Sequence, residues 1–220
     1  MTAPCDGDAL LPAAPRLATS RLVLQPLAIA DAAAIQRLFP RWEIVRHLND
    51  RVPWPYPPDG ALGYVRDVAL PAAARGEEWH WTLRLREAPD DVIGAISLML
   101  EEDNNRGFWL GLPWQGRGLM AEAAEAVTGF WFETLGRPVL RVPKAVANRA
   151  SSRLSERMGM RLVGIEMRDY VAGRLETELW EITREDWRAR QAGTGSPASR
   201  RPSNCSTSST GTGRLNRKPW

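Results

Sequence analysis

The stretch WLGLPWQGRGLMAEAAEAVTGFW, residues 109–131, places a glycine-rich turn between an apolar run and a helical pattern. Pro113 ends the preceding strand, because a proline offers no N–H to a β-ladder. Beyond the turn, apolar residues recur with helical spacing and share one face of a helical wheel. These residues are Leu119, Met120, Ala123, Ala124, Val127, Phe130 and Trp131. The pattern therefore predicts a strand, a glycine turn and a core-packed helix that begins directly after QGRG.

The turn has the properties of an anion site. The first N–H groups of a helix have no intrahelical partners, and the helix dipole places about half a positive charge at that end. Gly116 and Gly118 leave the backbone bare, and Arg117 adds a full charge. Such a turn favours phosphate binding, although an ordinary solvated glycine turn has the same pattern.

A second helix, predicted over NRASSRLSERM at residues 148–158, carries a polar stripe. Asn148, Ser151, Ser152 and Ser155 lie on one side of its wheel, opposite an apolar stripe. Because a solvent-facing stripe is normally charged and serine is a mediocre helix former, the stripe favours a polar ligand along the helix. The alternative is that Asn148 is an ordinary N-cap and that the serines fill the surface.

The rest of the chain alternates short strands with helices. Alternation in EEWHWTLRLRE predicts a half-buried strand with Trp79 and Trp81 toward the core and His80 exposed. A helix capped by Asp31 is predicted through residue 38, and a final helix capped by Thr183 and Asp186. Other strands are predicted over 21–27, 92–100, 107–112, 139–146, 161–171 and 175–183, and another helix over 60–75. This order indicates a single α/β or α+β domain.

Composition limits the range of functions. A chain of 220 residues with 44% apolar residues is long enough for one globular core. The formal charge of +3 is misleading, because residues 193–220 hold five positive charges and no acid, which leaves −2 for residues 1–192. Nucleic-acid binding is therefore not expected of the folded part.

The two ends differ from the middle of the chain. We expect a flexible N-terminal segment over residues 1–16, one folded domain over 17–192, and a disordered tail over 193–220 that is rich in serine, glycine, threonine and arginine. Cys5 and Cys205 lie in these ends, which argues against a disulfide framework. The sequence shows neither the pattern of a signal peptide nor an apolar run long enough to cross a membrane, so we expect a cytoplasmic protein.

The glycine turn and the serine helix together resemble a known family. QGRGLMAEAAEA, followed about thirty residues later by NRASSRLSERMGM, is similar to the GNAT N-acetyltransferases. More narrowly, it resembles their Rim-type branch, which includes enzymes that acetylate N-terminal residues of ribosomal proteins. TSRLVLQPL, VPWPYP and ELWEITREDW also fit that branch, so the resemblance covers roughly residues 17–188. It implies the GNAT fold, a single mixed and mostly antiparallel sheet of about seven strands with helices on both faces.

The resemblance implies acetyl-CoA as co-substrate. The family's loop Gln/Arg-x-x-Gly-x-Gly/Ala falls on Gln115, Gly118 and Met120, where Met120 replaces the usual small residue. Backbone N–H groups of this loop would hold the pyrophosphate, and the strand before it would contact the pantetheine arm and the acetyl carbonyl. The implied cofactor-binding residues are Leu110, Gly111, Leu112, Gln115, Gly116, Arg117, Gly118, Leu119, Met120, Asn148 and Ser151.

The implied reaction is direct attack of a primary amine on the acetyl carbonyl. Many family members carry a tyrosine that protonates the departing thiolate, but its place is Ser155 here, and the Rim-type pattern favours Ser151 instead. Asp169 is the first choice for the general base and Glu166 the second, although each could equally be a surface carboxylate. His80 is the alternative base, set aside because an exposed strand histidine is the commoner outcome.

The acceptor amine stays open between a protein N-terminus, a free amino acid, a polyamine and an aminoglycoside. At pH 7 about a tenth of an α-amine is neutral, against about one part in 2,500 of a lysine, so an N-terminal acceptor needs less help from a base. The alternative function is a non-catalytic acetyl-CoA-binding sensor, favoured by the missing tyrosine and by Met120. No metal, membrane or nucleic-acid partner is expected, and the protein is predicted to be a monomer or a homodimer.

Overall fold

The computed structural model describes residues 11–194. Within that range, eight strands form two antiparallel sheets, and helices pack against them. The mixed α/β class is thereby confirmed, but the predicted single sheet of about seven strands is corrected to one sheet of five strands and one of three. Cys5, Cys205 and most of the predicted tail lie outside the described residues.

The first sheet contains five strands in chain order. They are β1 Leu17–Ala18, β2 Leu22–Pro26, β3 Glu78–Leu85, β4 Gly94–Met99 and β5 Arg106–Leu110. Trp79 and Trp81 point to the main core as predicted, at 1% and 0% exposure. His80 was expected to be exposed but is 8% exposed, because helices cover the second face of β3 as well. The strand predicted to be half-buried is therefore buried on both faces.

The second sheet has three strands in the order β6-β8-β7. They are β6 Val139–Ala145, β7 Arg161–Tyr170 and β8 Gly173–Thr183. The last two form a hairpin in which Tyr170 lies opposite Gly173. Leu140, Val142 and Ile182 line its core face.

Seven α-helices lie within residues 11–194. They are α1 Ala32–Leu38, α2 Trp42–Val45, α3 Gly60–Tyr64, α4 Leu70–Ala74, α5 Leu119–Gly129, α6 Arg149–Arg157 and α7 Arg184–Thr194. A π-helical turn, Val65–Ala69, joins α3 to α4, which completes the helix predicted over 60–75, and another, Phe130–Thr134, extends α5. A 3-10 turn, Ile29–Asp31, precedes α1.

The two predicted N-caps have different outcomes. Thr183 caps α7 by accepting a hydrogen bond from the N–H of Asp186 at 3.1 Å. Asp31 does not cap α1; its carboxylate instead accepts from the N–H of Ala28 at 2.9 Å and pairs with Arg84. The reason is that a 3-10 turn precedes α1, and Asp31 closes that turn.

Two apolar clusters hold the fold together. The main core packs α5 and α6 between the two sheets, and the predicted apolar face of α5 is buried apart from Met120, which is partly buried. A second cluster packs α1, α2 and α3 on the other face of the first sheet. The first sheet is thus sandwiched, with one face toward α5 and the other toward the N-terminal helices.

Strands β5 and β6 begin side by side and then separate. The N–H of Asn105 donates to the carbonyl of Arg141 at 2.8 Å, and the N–H of Arg141 donates to Asn105 Oδ1 at 2.8 Å. Further along, the side chain of Lys144 on β6 reaches Phe108 on β5. From the first contact to the second, the residue numbers rise along both strands, from Asn105 to Phe108 and from Arg141 to Lys144, so β5 and β6 run parallel.

Pro143 gives a physical reason for the separation. The N–H and C=O of Arg141 point toward β5. Because backbone groups alternate in direction along a strand, the next residue of β6 that faces β5 is Pro143, two positions further on. A proline has no N–H, so the ladder between the sheets cannot continue past the first pair. A gap therefore opens between β5 and β6 toward the end of β5 at which the glycine turn begins.

Candidate active site

The loop between β5 and α5 presents bare backbone at a helix N-terminus. Gly116 and Gly118 have φ of +73° and +77°, values that glycine adopts without strain. Leu119 begins α5, which is 11 residues long. A Cβ placed on Gly116 would meet nothing within 4 Å. A ligand can therefore approach the backbone at Gly116 without a side chain in its way, while Arg21 Nη2 lies 3.6 Å from the place of a Cβ on Gly118.

Two charged side chains that the sequence patterns did not single out hold this loop. Arg21 donates a hydrogen bond to the carbonyl of Arg117 at 3.0 Å, and its Nε lies 2.8 Å from Glu122. Glu122 also accepts hydrogen bonds from the hydroxyls of Thr19 and Ser20 and from the N–H of Arg21. Burial alone would raise the pKa of Glu122, but these hydrogen bonds outweigh it and lower the pKa to about 2. The loop is thus tied to the segment before β2, and Arg21 brings a second cation whose charge Glu122 balances.

Gln115 braces the turn from inside. Its side-chain amide donates to the carbonyl of Leu110 at 2.8 Å, so it binds the protein itself. Leu110 and Gly111 are buried at the end of β5, whereas Leu112 is exposed in the 3-10 turn Leu112–Trp114. Of the three residues predicted to contact coenzyme A before the loop, Leu110 and Gly111 therefore lie inside the fold at the end of β5, and Leu112 lies on the surface.

The three serines of the polar stripe of α6 are buried, and Asn148 is half-buried. Asn148 accepts a hydrogen bond from the N–H of Ser151 at 3.3 Å, so it is an N-cap. Ser151 and Ser152 are almost fully buried, and Ser152 Oγ donates to Glu178 at 2.6 Å. Ser155 is 0% exposed, and its Oγ has no hydrogen-bond partner within residues 11–194. The serines are therefore not surface filler.

A cavity of about 440 Å³ lies on the other face of the first sheet. Its wall includes Gly107, Phe108 and Trp109, so it borders β5 from the side opposite α5. His80 and Glu78 also line it, with His80 Nε2 2.6 Å from Glu78 Oε2. When Nε2 donates to the carboxylate, Nδ1 is the basic nitrogen of the ring.

The two carboxylates predicted as bases lie elsewhere. Glu166 is exposed and pairs with Arg168 at 2.5 Å. Asp169 is exposed beside the turn of the β7–β8 hairpin, and its neighbour Tyr170 points inward and bonds to Thr177. Neither carboxylate is among the described residues that line the cavity.

Lys144 beside the gap and the Glu78–His80 pair in the cavity differ in the sequence signal that could have found them. In VLRVPKA, Lys144 follows Leu140 and Val142 at alternate positions, which places it on the buried face of a strand. In EEWHW, Glu78 and His80 share one face of a strand and are close enough to pair. A titratable residue at an inward position is the pattern that reveals Lys144, whereas Glu78 and His80 lie on the face of β3 that alternation predicted to be exposed.

The comparisons with known proteins agree with this geometry. The family model described as an acetyltransferase (GNAT) domain matches residues 21–161, which is more than half of the chain. The chain belongs to the GNAT family of acetyltransferases. The GNAT fold and acyl transfer as the class of reaction follow from that membership.

Solved structures share the GNAT fold. A ribosomal-protein alpha-N-acetyltransferase (RimL) in complex with coenzyme A has a TM-score of 0.64 and 17% identity, over 75% of this chain and 95% of its own. A microcin self-immunity acetyltransferase (MccE) in complex with acetyl-CoA and AMP has a TM-score of 0.64 and 14% identity, over 80% and 98%. An acetyltransferase from Agrobacterium tumefaciens has a TM-score of 0.60 and 27% identity, also over 80% and 98%.

Two further features of the described residues concern membrane-spanning helices and metal-binding groups of side chains. Among the helices of residues 11–194, none is long and apolar enough to span a membrane. In the same range, no three histidine, cysteine, aspartate or glutamate side chains are grouped so that they could hold a metal ion.

Proposed function

We propose that this protein transfers the acetyl group of acetyl-CoA to a primary amine by direct attack in a ternary complex. The observation that carries the proposal is that the glycine loop at the N-terminus of α5 and the gap beside β5 adjoin each other. A helix N-terminus suits a pyrophosphate. An unpaired strand edge offers N–H and C=O groups to the amides of a pantetheine arm. A ligand with phosphates at one end and amides along its arm matches both.

The residues present fit acetyl-CoA. Backbone N–H groups from Gly116 to Met120 would hold the pyrophosphate, with Arg117 and Arg21 supplying positive charge. The side chain of Met120 packs against the core, so its size does not obstruct the loop. Leu110, Gly111 and Leu112 would contact the arm from β5, and Asn148 and Ser151 from α6.

The cavity on the opposite face of β5 would receive the acceptor. Its wall is largely apolar and aromatic, and it holds the carboxylate of Glu78, whereas the carboxylate of Glu101 is already paired with Arg51 at 2.6 Å. An acidic group in an apolar wall favours a cationic ligand, which an amine is before it loses its proton. The cavity and the gap both reach β5, so an amine in one could meet an acyl group in the other.

His80 is the base that this geometry favours. It lines the cavity and is oriented by Glu78, whereas Asp169 and Glu166 lie on exposed positions of β7. His80 would accept the proton that the acceptor nitrogen loses, and Glu78 would stabilise the resulting imidazolium. Asp169 and Glu166 remain the alternatives that mutation has to test.

Within the family we place this chain in the Rim-type branch, with a protein N-terminus or a small-molecule amine as acceptor. The sequence motifs and the shared fold of RimL support this placement. The buried Ser155 favours the second candidate, a non-catalytic acetyl-CoA sensor, because a sealed hydroxyl cannot replace the missing tyrosine.

Calorimetric titration of the full chain with acetyl-CoA tests the proposal. Gly118→Glu places a carboxylate against the pyrophosphate and should weaken binding by at least about 100-fold. Gly136→Glu is the matched control, because Gly136 also has a positive φ, +65°, but lies after α5 and outside the loop. Binding by the unaltered protein and by Gly136→Glu, but not by Gly118→Glu, is the expected result. A folded, unaltered protein that does not bind acetyl-CoA would contradict the proposal.

A further inference from the structure

Lys144 is a buried lysine whose ammonium group reaches across the gap between the sheets. It alternates along β6 with Leu140 and Val142, which are fully buried, and it is 8% exposed. Its Nζ lies 4.6 Å from the centroid of the Phe108 ring on β5. The amine therefore lies between the two strands, beside the edge that would receive the pantetheine arm.

The positive charge of Lys144 has no acidic partner. Within residues 11–194, no carboxylate oxygen lies within 4.0 Å of its Nζ. Glu178 is opposite Lys144 in the β6–β8 register, but its Oε2 accepts from Ser152 Oγ at 2.6 Å and from Trp180 Nε1 at 3.0 Å. Arg106 on β5 adds a second buried cation, 1% exposed and bonded to neutral groups.

Within residues 11–194 neither of these two buried cations forms an ion pair, which is costly, so an electron-rich group entering the gap would complete the electrostatics of this region. Burial, and then the charge of Arg106, lower the pKa of Lys144 to about 7. Burial also lowers the pKa of Arg106 to about 10, although Glu125 on α5 acts to raise it. The charged groups around Lys144 are therefore Arg106 from β5, Glu178 from β8 and, acting on Arg106, Glu125 from α5.

The chain uses arginine almost everywhere else. Its 29 basic residues include only two lysines, Lys144 and Lys218, and the second lies in the predicted tail. An arginine cannot release a proton in a protein, whereas a buried lysine can. A lysine at this one inward position suits a role in which the proton is given up.

We propose that Lys144 is a further catalytic residue, whose Nζ donates a proton to the sulfur of coenzyme A as the acetyl group is transferred. The proposal rests on the proposed function. The acceptor nitrogen bonds to the acetyl carbon, and the carbon–sulfur bond breaks with its electron pair going to sulfur. Lys144 gives sulfur its proton, His80 takes the proton that the acceptor nitrogen loses, and water resets both groups.

The acidity of the groups present favours Lys144 over the serines. A thiol has a pKa of about 8.5, so an ammonium group of lower pKa transfers its proton to a thiolate with a favourable free energy. A serine hydroxyl is a far weaker acid. Ser155 is also 0% exposed.

NMR of the full chain labelled with [ε-13C]lysine gives a readout that does not depend on turnover. Two lysine signals are expected, and Lys144→Arg assigns them. The Lys144 signal should titrate near pH 7 in the free protein, and its pKa should rise when coenzyme A binds, because the sulfur then accepts a hydrogen bond from the ammonium form. Lys218 is the internal control, and its titration should not change when coenzyme A binds.

The kinetics of two variants distinguish proton donation by Lys144 from the effect of its positive charge. Lys144→Arg keeps the charge but cannot donate, and Lys144→Met removes both. Each should lower kcat about 100-fold, the low end for proton transfer, because a thiolate leaves readily. The KM for acetyl-CoA should change less than about threefold. The decrease of wild-type kcat as the pH rises through the pKa of Lys144 should be missing in both variants.

An unchanged Lys144 titration on coenzyme A binding, or a kcat within about threefold of wild type in Lys144→Arg, would overturn the proposal. Lys144→Arg alone carries the test if Lys144→Met does not fold. Failure of the unaltered protein to bind acetyl-CoA would overturn the proposed function and this inference together, and calorimetry shows that before any variant is made.

Discussion

His80 and Glu78 face the cavity from alternate positions of β3, with 2.6 Å between nitrogen and oxygen. A histidine held by a carboxylate in an apolar wall has a fixed orientation, which a base needs before its pKa matters. The exposed position of Asp169 offers no such constraint. A mutation at each of the two residues, His80 and Asp169, therefore distinguishes between them as candidate bases.

His80→Gln keeps a hydrogen-bond donor toward Glu78 but removes the basic nitrogen. We expect kcat/KM at pH 7 to fall by about 100-fold, with a larger loss for a lysine-like acceptor than for an α-amine, because less of the lysine is neutral. Asp169→Asn is the comparison and should change kcat/KM less than about threefold. A large loss in Asp169→Asn and a small one in His80→Gln would reverse the assignment.

Lys144 also affects stability in a pH-dependent way. Its pKa of about 7 in the folded protein lies below the 10.5 of an unperturbed lysine, so the unfolded chain binds more protons between these pH values. The destabilisation is therefore complete below pH 7 and is relieved as the pH rises toward 10.5.

Lys144→Met should accordingly raise the thermal midpoint at pH 7 by about 5 °C, the shift expected for ~2 kcal/mol in a domain of this size. The gain should shrink as the pH approaches 10. Lys218→Met is the matched control and should leave the midpoint unchanged. A lower midpoint in Lys144→Met at every pH would show that the ammonium group is paired in solution.

At the scale of elements, strand and helix positions follow from the sequence where one period dominates. The alternation of β3 and the apolar arc of α5 predicted their inward faces correctly. The second buried face of β3 was not predicted, because alternation cannot show that helices from residues 32–74 cover it. The gap beside β5 was likewise beyond local patterns, since it depends on Pro143 meeting a strand that is distant in sequence.

Glu122 shows how one residue can join two elements. It lies on α5, yet it accepts four hydrogen bonds from Thr19, Ser20 and Arg21 before β2. Its pKa of about 2 is below the ordinary 4.5, so its stabilising contribution is complete above pH 4.5 and is lost as the pH falls toward 2.

Glu122→Gln should lower the free energy of unfolding at pH 7 by about 2 kcal/mol, as for hydrogen bonds to a charged group. The difference from wild type should disappear near pH 2. Glu133→Gln, which removes an exposed pair with Arg188, is the matched control and should have no measurable effect. Chemical unfolding followed by tryptophan fluorescence measures both, and equal stability of the three proteins at pH 7 would exclude the network.

At the scale of the whole molecule, the N-terminal boundary of the domain differs from the one that composition suggested. Residues 11–16 were predicted to belong to a flexible segment. In the structure, the carbonyls of Pro12 and Pro15 accept hydrogen bonds from the Nε1 atoms of Trp79 and Trp81, each at 2.7 Å. Proline-rich composition indicated an extended chain, but not that buried tryptophans would bind it.

Removal of residues 1–16 should therefore destabilise the protein, because two buried indole N–H groups lose their acceptors at about 1–3 kcal/mol each. Removal of residues 1–10 is the matched control and should leave the thermal midpoint within about 2 °C of wild type. Equal thermal midpoints for the two truncated proteins would show that the folded domain begins at residue 17.

The decisive reaction to measure is the transfer of acetyl groups to amines. The full chain is incubated with acetyl-CoA and a panel of peptide N-termini, polyamines and amino acids, and thiol release and acylated products are measured by absorbance and mass spectrometry. For the proposed function, we expect thiol release that depends on an amine and matches the formation of a singly acetylated product. Tight binding of acetyl-CoA without amine-dependent release for any member of the panel would contradict it and favour the non-catalytic sensor.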